Sequence, residues 1–297
     1  MSTKIEWTQE TWSPIIGCNK ISSGCANCYA ERMAVRLAAN PKTKDDYGPV
    51  ISEGIWSGRT QLRTEILKKP FSWKKPRMIF VCSMGDLFHG TVIWTWLDKV
   101  FNIIRKCPQH TFQILTKRPE FAKAFSFMFE DLSNVWLGVT AENQEEADKR
   151  IPVLLEIPVE KRFVSIEPML GPVDISDYLH DSNCNEIRRD EGICICHEPR
   201  EIHLDWIIAG GETGPSARPM HPEWVTQIRD QCIEANVPFF FKSWGEWIPV
   251  TYIKEDRKRC VNITPDPGEI LLKDPTLINM IKSRNHPEFK SKLCGKY

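Results

Sequence analysis

Residues 112–119 read FQILTKRP, an apolar run of strand length that ends abruptly in polar residues. The same succession recurs along the chain, and each run is typical of a strand that is buried on both faces. The runs lie at 79–82, 112–115, 135–138, 163–166, 206–209 and 239–242. Several are separated by segments with helical periodicity, most clearly VIWTWLDKVFNIIRK and PEWVTQIRDQCIEA. Alternating strands and helices predict an α/β fold with a parallel sheet.

The polar residues that follow the runs indicate where the chemistry lies. After the six runs come SMGD, TKRP, TAEN, EP, GGETG and SWGEW. In a (β/α) barrel the loops after the strands gather at one face and build one site, so these clusters predict a single crowded mouth. We therefore predict a (β/α) barrel, partial or full, with a first strand near residues 12–17. A doubly wound open sheet has similar spacing and is the alternative.

The composition is that of a globular protein with a sizeable core, at 41% hydrophobic and 26% charged residues in 297. Its 39 basic and 39 acidic side chains cancel, so no global field draws the chain to nucleic acid or anionic lipid. The N-terminus lacks an export signal and no apolar run is long enough to span a membrane, so we expect a cytoplasmic protein without a membrane partner. Residues 1–248 are expected to form the barrel domain, with a polar insertion at 175–204, and residues 249–297 a charged C-terminal extension.

Three of the eleven cysteines stand in the loop that would follow the first strand: Cys18, Cys25 and Cys28, separated by six and two residues. In a reducing compartment such thiols serve as metal ligands rather than as disulfides. A structural zinc site needs a fourth ligand that this loop lacks, and a redox pair of Cys25 and Cys28 would leave Cys18 without a role. Three thiolates suit a [4Fe–4S] cluster whose fourth iron stays open for chemistry. Tyr29 would offer the cluster an aromatic wall.

At this point the sequence resembles the radical SAM superfamily, and most closely a phage-associated three-Cys-motif family within or near it. The resemblance spans most of the chain to about residue 248 and lies in GCNKISSGCANCYAERMA, SMGDLFH, FQILTKRPE, GVTAENQEEADKRIPVL, VSIEPMLGP, AGGETGPSARPMHPEWVTQIRDQC and VPFFFKSWGEW. It implies the radical SAM TIM-barrel type, with a [4Fe–4S] cluster on Cys18, Cys25 and Cys28 that binds S-adenosylmethionine through its open iron. The cysteine spacing departs from the usual three and two residues of that superfamily.

The resemblance also implies partners and a reaction. A one-electron reductant would drive cleavage of S-adenosylmethionine, and the cleavage would start radical chemistry on a substrate. The phage association favours a nucleic acid or a nucleoside as substrate, and a three-Cys-motif partner protein is a further expected partner. The alternative function is a non-catalytic barrel whose metal only stabilises a nucleic-acid-binding or protein-binding surface. A metal site that keeps an open position distinguishes the enzyme from this module.

Two carboxylates compete for the amino group of S-adenosylmethionine. In the superfamily a Gly-Gly-Glu motif typically contacts this group after the second strand, whereas here the motif that ends in Glu212 comes late. Ser83, Gly85 and Asp86 follow the second predicted strand, and a carboxylate beside a glycine turn can accept a hydrogen bond from an ammonium. We therefore prefer Asp86 over Glu212 for this role.

Further site candidates follow the later strands. Thr140, Glu142 and Asn143 could hold the ribose or carboxyl groups of a bound nucleoside, although Asn143 is equally explained as the cap of the following helix. Lys117, beside Arg118, could clamp a carboxylate or phosphate, or could begin a solvated helix.

The two glutamates Glu167 and Glu212 complete the predicted catalytic set with Lys117. Each is a candidate acid, base or substrate-binding carboxylate, and the alternative is a simple ion pair with Lys242 or Arg218.

Two segments outside this site carry open alternatives. Residues 63–78 mix basic side chains with Phe71 and Trp73, which suits a nucleic-acid platform or a solvated face. In the insertion, a second zinc site or a mobile loop would explain the polar cluster formed by Cys184, Cys194, Cys196 and His197.

Overall fold

The computed structural model describes residues 5, 7–179 and 203–249, together with the short strands Ile187–Arg188, Ile193–Cys194 and Met280–Lys282. Its centre is a seven-stranded sheet in which every neighbouring pair is parallel and the strands follow one another in sequence order. The strands are β1 Glu10–Trp12, β2 Met78–Val81, β3 Thr111–Thr116, β4 Val135–Thr140, β5 Lys161–Ile166, β6 Trp206–Gly210 and β7 Phe239–Ser243.

The sequential strand order decides between the two predicted topologies. A doubly wound sheet reverses its strand order at a switch point, whereas here each crossover advances by one strand in the same direction. The sheet curls as a result, and β1 and β7 form its two edges. The fold is a partial (β/α) barrel, which confirms this part of the predicted fold class.

Helices connect most of the strands. They are α1 Tyr29–Ala39, α2 Lys44–Tyr47, α3 Trp94–Arg105, α4 Pro119–Ala124, α5 Gln144–Leu155 and α6 Pro222–Glu234. Short 3-10 turns lie at Ser23–Cys25, Gly48–Val50, Thr64–Ile66, Lys69–Ser72, Ser126–Met128 and Ser176–Tyr178. Small antiparallel pairs join Ile51–Ser52 to Ile55–Trp56, Ile187–Arg188 to Ile193–Cys194, and Trp247–Pro249 to Met280–Lys282. None of the described helices has the length and apolar character that a membrane span requires.

The start of the sheet differs from the prediction. The first strand lies at Glu10–Trp12, earlier than the predicted residues 12–17. Pro14 has no backbone N–H to donate, which ends the parallel ladder just after Trp12. Ile15–Ile16 instead pairs antiparallel with Gln61–Leu62, and the cysteine loop begins directly afterwards.

Alternation along the strands separates two hydrophobic clusters. One face of the sheet, including Ile114 and Val164, packs against helix residues such as Val100. On the opposite face the interior of the curl is filled by aromatic side chains around Trp7, whose ring lies 4.8 Å from that of Phe80. The sheet is therefore buried on both faces, which explains why its strands are nearly continuous apolar runs.

Most of the predicted insertion at residues 175–204 and of the C-terminal extension at residues 249–297 lies outside the described residues. This applies to the side chains of the predicted second metal site, Cys184, Cys194, Cys196 and His197, and to most of residues 249–297. The basic segment 63–78 is described, and it leads through two 3-10 turns into β2.

Candidate functional site

A cavity of about 450 Å³ opens at the carboxyl ends of the strands. Because the strands are parallel, the loops that follow them converge there. Except for Glu142 and Asn143, all predicted site residues line this cavity: Cys18, Cys25, Cys28, Tyr29, Ser83, Gly85, Asp86, Lys117, Thr140, Glu167 and Glu212. The Trp7 indole and Phe80 form part of its apolar wall.

The two remaining candidates, Asn143 and Glu142, bond to other parts of the protein outside the cavity lining. The Asn143 side chain accepts a hydrogen bond from the backbone N–H of Glu146 at 3.0 Å and caps α5. The Glu142 carboxylate is fully buried between charged neighbours. Neither residue lines the cavity.

The cysteine loop is folded against the loop that follows β2. Gly17 has a φ of +94°, which favours glycine, and a Cβ there would lie 2.2 Å from the carbonyl oxygen of Arg59. Its N–H donates to the Met84 carbonyl at 3.1 Å, and a Cβ on Gly85 would lie 2.9 Å from the Gly17 carbonyl oxygen. Two glycines therefore let the two backbones touch beside Cys18.

A buried charged network holds the middle of the cysteine loop. The Lys117 ammonium donates to Ser22 Oγ at 3.1 Å and to Glu142 Oε1 at 3.0 Å, and this same oxygen accepts from the N–H of Gly24 at 3.0 Å. Arg150 Nη1 donates to the other Glu142 oxygen at 2.9 Å. Burial alone would raise the pKa of Glu142, but Lys117 and Arg150 outweigh it and lower the pKa to about 2.

A second network anchors the start of the loop. Asp86 Oδ2 accepts hydrogen bonds from Arg118 Nη1 at 2.8 Å and from the Lys117 N–H at 3.2 Å. Its Oδ1 accepts from Thr116 Oγ1 at 2.8 Å and from the Phe88 N–H at 3.0 Å. The four acceptor positions of Asp86 are therefore filled by the protein itself.

Arg118, which is bound to Asp86, also contacts Asn19 and Cys18. Its Nη2 donates to Asn19 Oδ1 at 2.8 Å, and its Nη1 lies 3.8 Å from Cys18 Sγ. Burial and the charge of Asp86 raise the pKa of Cys18 to about 12. At Cys25 burial acts in the same direction, but the Lys117 ammonium and hydrogen bonds within the loop lower its pKa overall.

The loop after β6 holds the far end of the cysteine loop. Glu212 Oε2 accepts from Asn27 Nδ2 at 2.9 Å, and from the backbone N–H and Nε of Arg218 at 2.8 and 2.9 Å. Arg218 Nη2 donates to Glu212 Oε1 at 2.6 Å and to the Ser23 carbonyl at 3.0 Å. Glu212 thus accepts four hydrogen bonds, as Asp86 does, and its pKa is lowered because these hydrogen bonds outweigh the raising effect of burial.

Asn19, Asn27 and Arg150 are site residues that the sequence did not single out. Single amides between cysteines and an arginine inside a helix carry no motif of their own. The one sequence signal is that Asn19 and Asn27 lie between the three cysteines; Arg150 has none.

Glu167 and Lys242 form an ion pair inside the cavity. Glu167 directly follows β5 and Lys242 belongs to β7. Between them in the sheet, Gly210 ends β6, and a Cβ there would lie 3.4 Å from Lys242 Cβ and 3.5 Å from Glu167 Cδ. The pair therefore meets above Gly210, where a Cβ would make only ordinary van der Waals contacts with it.

The three thiols form the donor set of the site. All three are free and partly exposed to the cavity. Within the described part of the chain, no three Cys, His, Asp or Glu side chains are placed to ligate one metal ion as they stand. A [4Fe–4S] cluster binds each thiolate to a different iron, so its ligands surround a cage and do not converge on one ion. Thiolates are the ligands that such a cluster takes, and these three line one cavity.

Fold and site together define a partial (β/α) barrel with a three-cysteine loop at its mouth. The chain belongs to the family described as "Protein of unknown function (DUF5131)", whose model matches residues 2–272. No curated protein and no solved structure matches the chain.

Proposed function

We propose that this chain is a radical SAM-like iron–sulfur enzyme. Cys18, Cys25 and Cys28 would hold a [4Fe–4S] cluster, and the mouth cavity would bind S-adenosylmethionine. The observation that supports this proposal is that three free thiols of one loop line the same cavity at the carboxyl ends of a partial (β/α) barrel. When bound, the cluster would supply the electron that cleaves S-adenosylmethionine.

Hydrogen bonds from the strand ends would hold the cysteine loop in place without a ligand. Asp86 fixes Arg118, which holds Asn19 beside Cys18. Lys117 and Glu142 fix the segment around Gly24, and the pair formed by Glu212 and Arg218 fixes Ser23 and Asn27. We therefore assign Asp86, Lys117 and Glu212 a positioning role, because their polar groups are committed to the loop.

The cavity suits a nucleoside ligand in size and character. Its volume of about 450 Å³ lies in the range typical of small-molecule sites. Apolar side chains such as Trp7, Phe80 and Leu115 line it together with polar groups from the strand ends. These walls would exclude water from a reactive intermediate. From the resemblance we carry over a nucleic acid or nucleoside as proposed substrate, a one-electron reductant and a three-Cys-motif protein as proposed partners, and a cytoplasmic location.

Electron paramagnetic resonance on anaerobically reconstituted, dithionite-reduced protein tests the proposal. We expect a [4Fe–4S] signal that changes when S-adenosylmethionine is added and that is lost in Cys18→Ala, Cys25→Ala and Cys28→Ala. The matched control is Cys232→Ala, because Cys232 is a free cysteine buried in the core on α6. Protein that holds only zinc, or a cluster that ignores S-adenosylmethionine, would contradict the enzyme and favour the binding module.

A further inference from the structure

The basic segment 63–78 concentrates positive charge in a chain whose net charge is zero. Between Glu65 and Asp86 the sequence has no acidic residue, and five cations lie there within ten residues: Lys68, Lys69, Lys74, Lys75 and Arg77. Within the described part of the chain, none of the five forms an ion pair. The flanking carboxylates are occupied, because Glu65 pairs with Arg63 and Asp86 pairs with Arg118. The segment therefore presents five positive charges that the described protein does not neutralise by pairing.

Packing fixes the aromatic residues of this segment at the surface. Pro70 is buried, and its carbonyl oxygen hydrogen-bonds to His110 Nε2 at 3.1 Å and accepts from the Trp73 N–H at 3.3 Å. The Trp73 ring packs edge-on against His110, and Lys69 Nζ lies 5.0 Å from the centroid of the Trp73 ring. The neighbouring Phe71 is 38% exposed. A rigid turn thus holds an accessible aromatic ring among the cations.

The basic segment runs alongside the edge strand β1. The Arg63 N–H donates to the carbonyl of Pro14, just beyond β1, at 2.7 Å. The Gln9 N–H, just before β1, donates to the Met78 carbonyl at 3.1 Å. Because the mouth cavity lies at the carboxyl ends of the strands, the Arg63 end of the segment is the end nearer to the cysteine loop. The cations therefore lie along a track that leads from the amino end of β1 towards the mouth.

We propose that the basic segment binds single-stranded nucleic acid, with phosphates on the five cations and a base stacked on Phe71. Unpaired cations match a polyanion, and an exposed ring adds a stacking surface that every unpaired base can use. A duplex keeps its bases inside the stack, so the ring favours a single strand. A strand that continues past the Arg63 end would reach the mouth cavity as a substrate. This last step rests on the proposed function, whereas binding to the segment does not.

Fluorescence anisotropy on the full chain tests this surface. The probes are a short labelled oligodeoxythymidylate, an oligouridylate of the same length and a duplex of the same length, and vesicles of phosphatidylserine and phosphatidylcholine test anionic lipid. The variants are the double substitution Lys74→Gln and Lys75→Gln, and the single substitution Phe71→Ala.

Each variant has a matched control. For the charges it is the double substitution Lys123→Gln and Lys149→Gln, because these lysines are exposed on α4 and α5 and pair with carboxylates. For the ring it is Phe127→Ala, since Phe127 is 49% exposed outside the basic segment.

We expect the single-stranded probes to bind with an affinity that falls steeply with salt, because each phosphate contact releases counterions. The double lysine variant should weaken both probes by about 10-fold at low salt. It should also reduce the slope of log K against log salt by about 1.4, at about 0.7 for each lost contact. Phe71→Ala should weaken both probes by about 5- to 100-fold, and the controls should stay within about twofold of the unchanged chain.

No binding at low salt, or losses no larger than those of the controls, would overturn the proposal. Equal binding of the duplex would overturn it too, because a duplex offers no free base to Phe71. Binding of vesicles in place of oligonucleotides would show that the surface takes anionic lipid instead. Cys18→Ala should bind the probes as the unchanged chain does. A missing cluster signal in electron paramagnetic resonance therefore contradicts the proposed function, whereas missing probe binding contradicts this surface alone.

Discussion

Lys117 and Glu142 meet at 3.0 Å directly against the backbone of Gly24, one residue before Cys25. A Cβ on Gly24 would lie 2.7 Å from Lys117 Nζ and 2.8 Å from the Glu142 carboxylate. The glycine therefore lets a buried ion pair from the ends of β3 and β4 reach the cysteine loop. This contact joins the thiols to the frame of the barrel.

Replacing Gly24 by Ala should loosen this contact. The Glu142 carboxylate is held from behind by Arg150 and cannot withdraw freely, so we expect a loss of about 1–3 kcal/mol in the free energy of unfolding. Chemical denaturation measures the loss. Gly48→Ala is the control, because a Cβ there would meet its nearest neighbour only at 3.8 Å. Equal stability of the two variants would contradict the role given to Gly24.

Stability should depend on the charge of Glu142. Its pKa is about 2 in the folded chain against an ordinary value of 4.5, so the charged form stabilises the fold above pH 4.5 and this contribution is lost as the pH falls towards 2. The contribution is on the order of 3 kcal/mol. The unfolding free energies of the unchanged chain and of Glu142→Gln should therefore converge as the pH is lowered from 7 to 3 in urea titrations. A constant difference would show that this charge does not matter.

Removing Arg218 should leave the carboxylate of Glu212 without its main partner. Because Arg218 donates three of the four hydrogen bonds to Glu212, we expect Arg218→Met to cost about 1–3 kcal/mol. The backbone N–H of residue 218 remains, so the loss is partial. Adding Glu212→Gln should recover part of the stability, because the buried charge is then removed as well. Thermal unfolding of the single and double variants measures this coupling, and strictly additive losses would refute it.

The interior of the curl should be sensitive at Gly138. A Cβ on this residue of β4 would lie 2.5 Å from the Phe163 ring, and the ring is enclosed by Trp7 and Trp206. We expect Gly138→Ala to cost about 2 kcal/mol in the free energy of unfolding through overpacking. Phe163→Leu should partly rescue it by providing space. A double variant no more stable than Gly138→Ala would mean that the ring is not the obstacle.

Local pattern was sufficient to predict much of this protein. Strands β2 to β7 coincide with the predicted apolar runs to within a few residues, because buried parallel strands are marked by their own composition. Their polar ends converge on one cavity because parallel strands all point the same way. The prediction placed β1 too far along the chain. The apolar run continues to Ile16, but Pro14 ends the parallel ladder after Trp12.

The roles of the polar residues could not be assigned in the same way. Asp86, Glu167 and Glu212 look alike in sequence, since each carboxylate follows an apolar run. In the structure Asp86 and Glu212 each accept four hydrogen bonds from protein donors, whereas the Glu167 side chain accepts one, from Lys242.

The sequence by itself determined where β2 to β7 lie along the chain, the polar character of the mouth and the cluster of three thiols, because each of these depends on neighbours within a short segment. Only the tertiary structure decided which charged side chains spend their hydrogen bonds on the protein and which keep free donors or acceptors towards the cavity. Lys242 meets Glu167 across 75 residues, and Gly24 meets Glu142 across 118. Hydrogen-bond saturation depends on atoms that separate loops bring within about 3 Å of one another, and no local pattern encodes that distance.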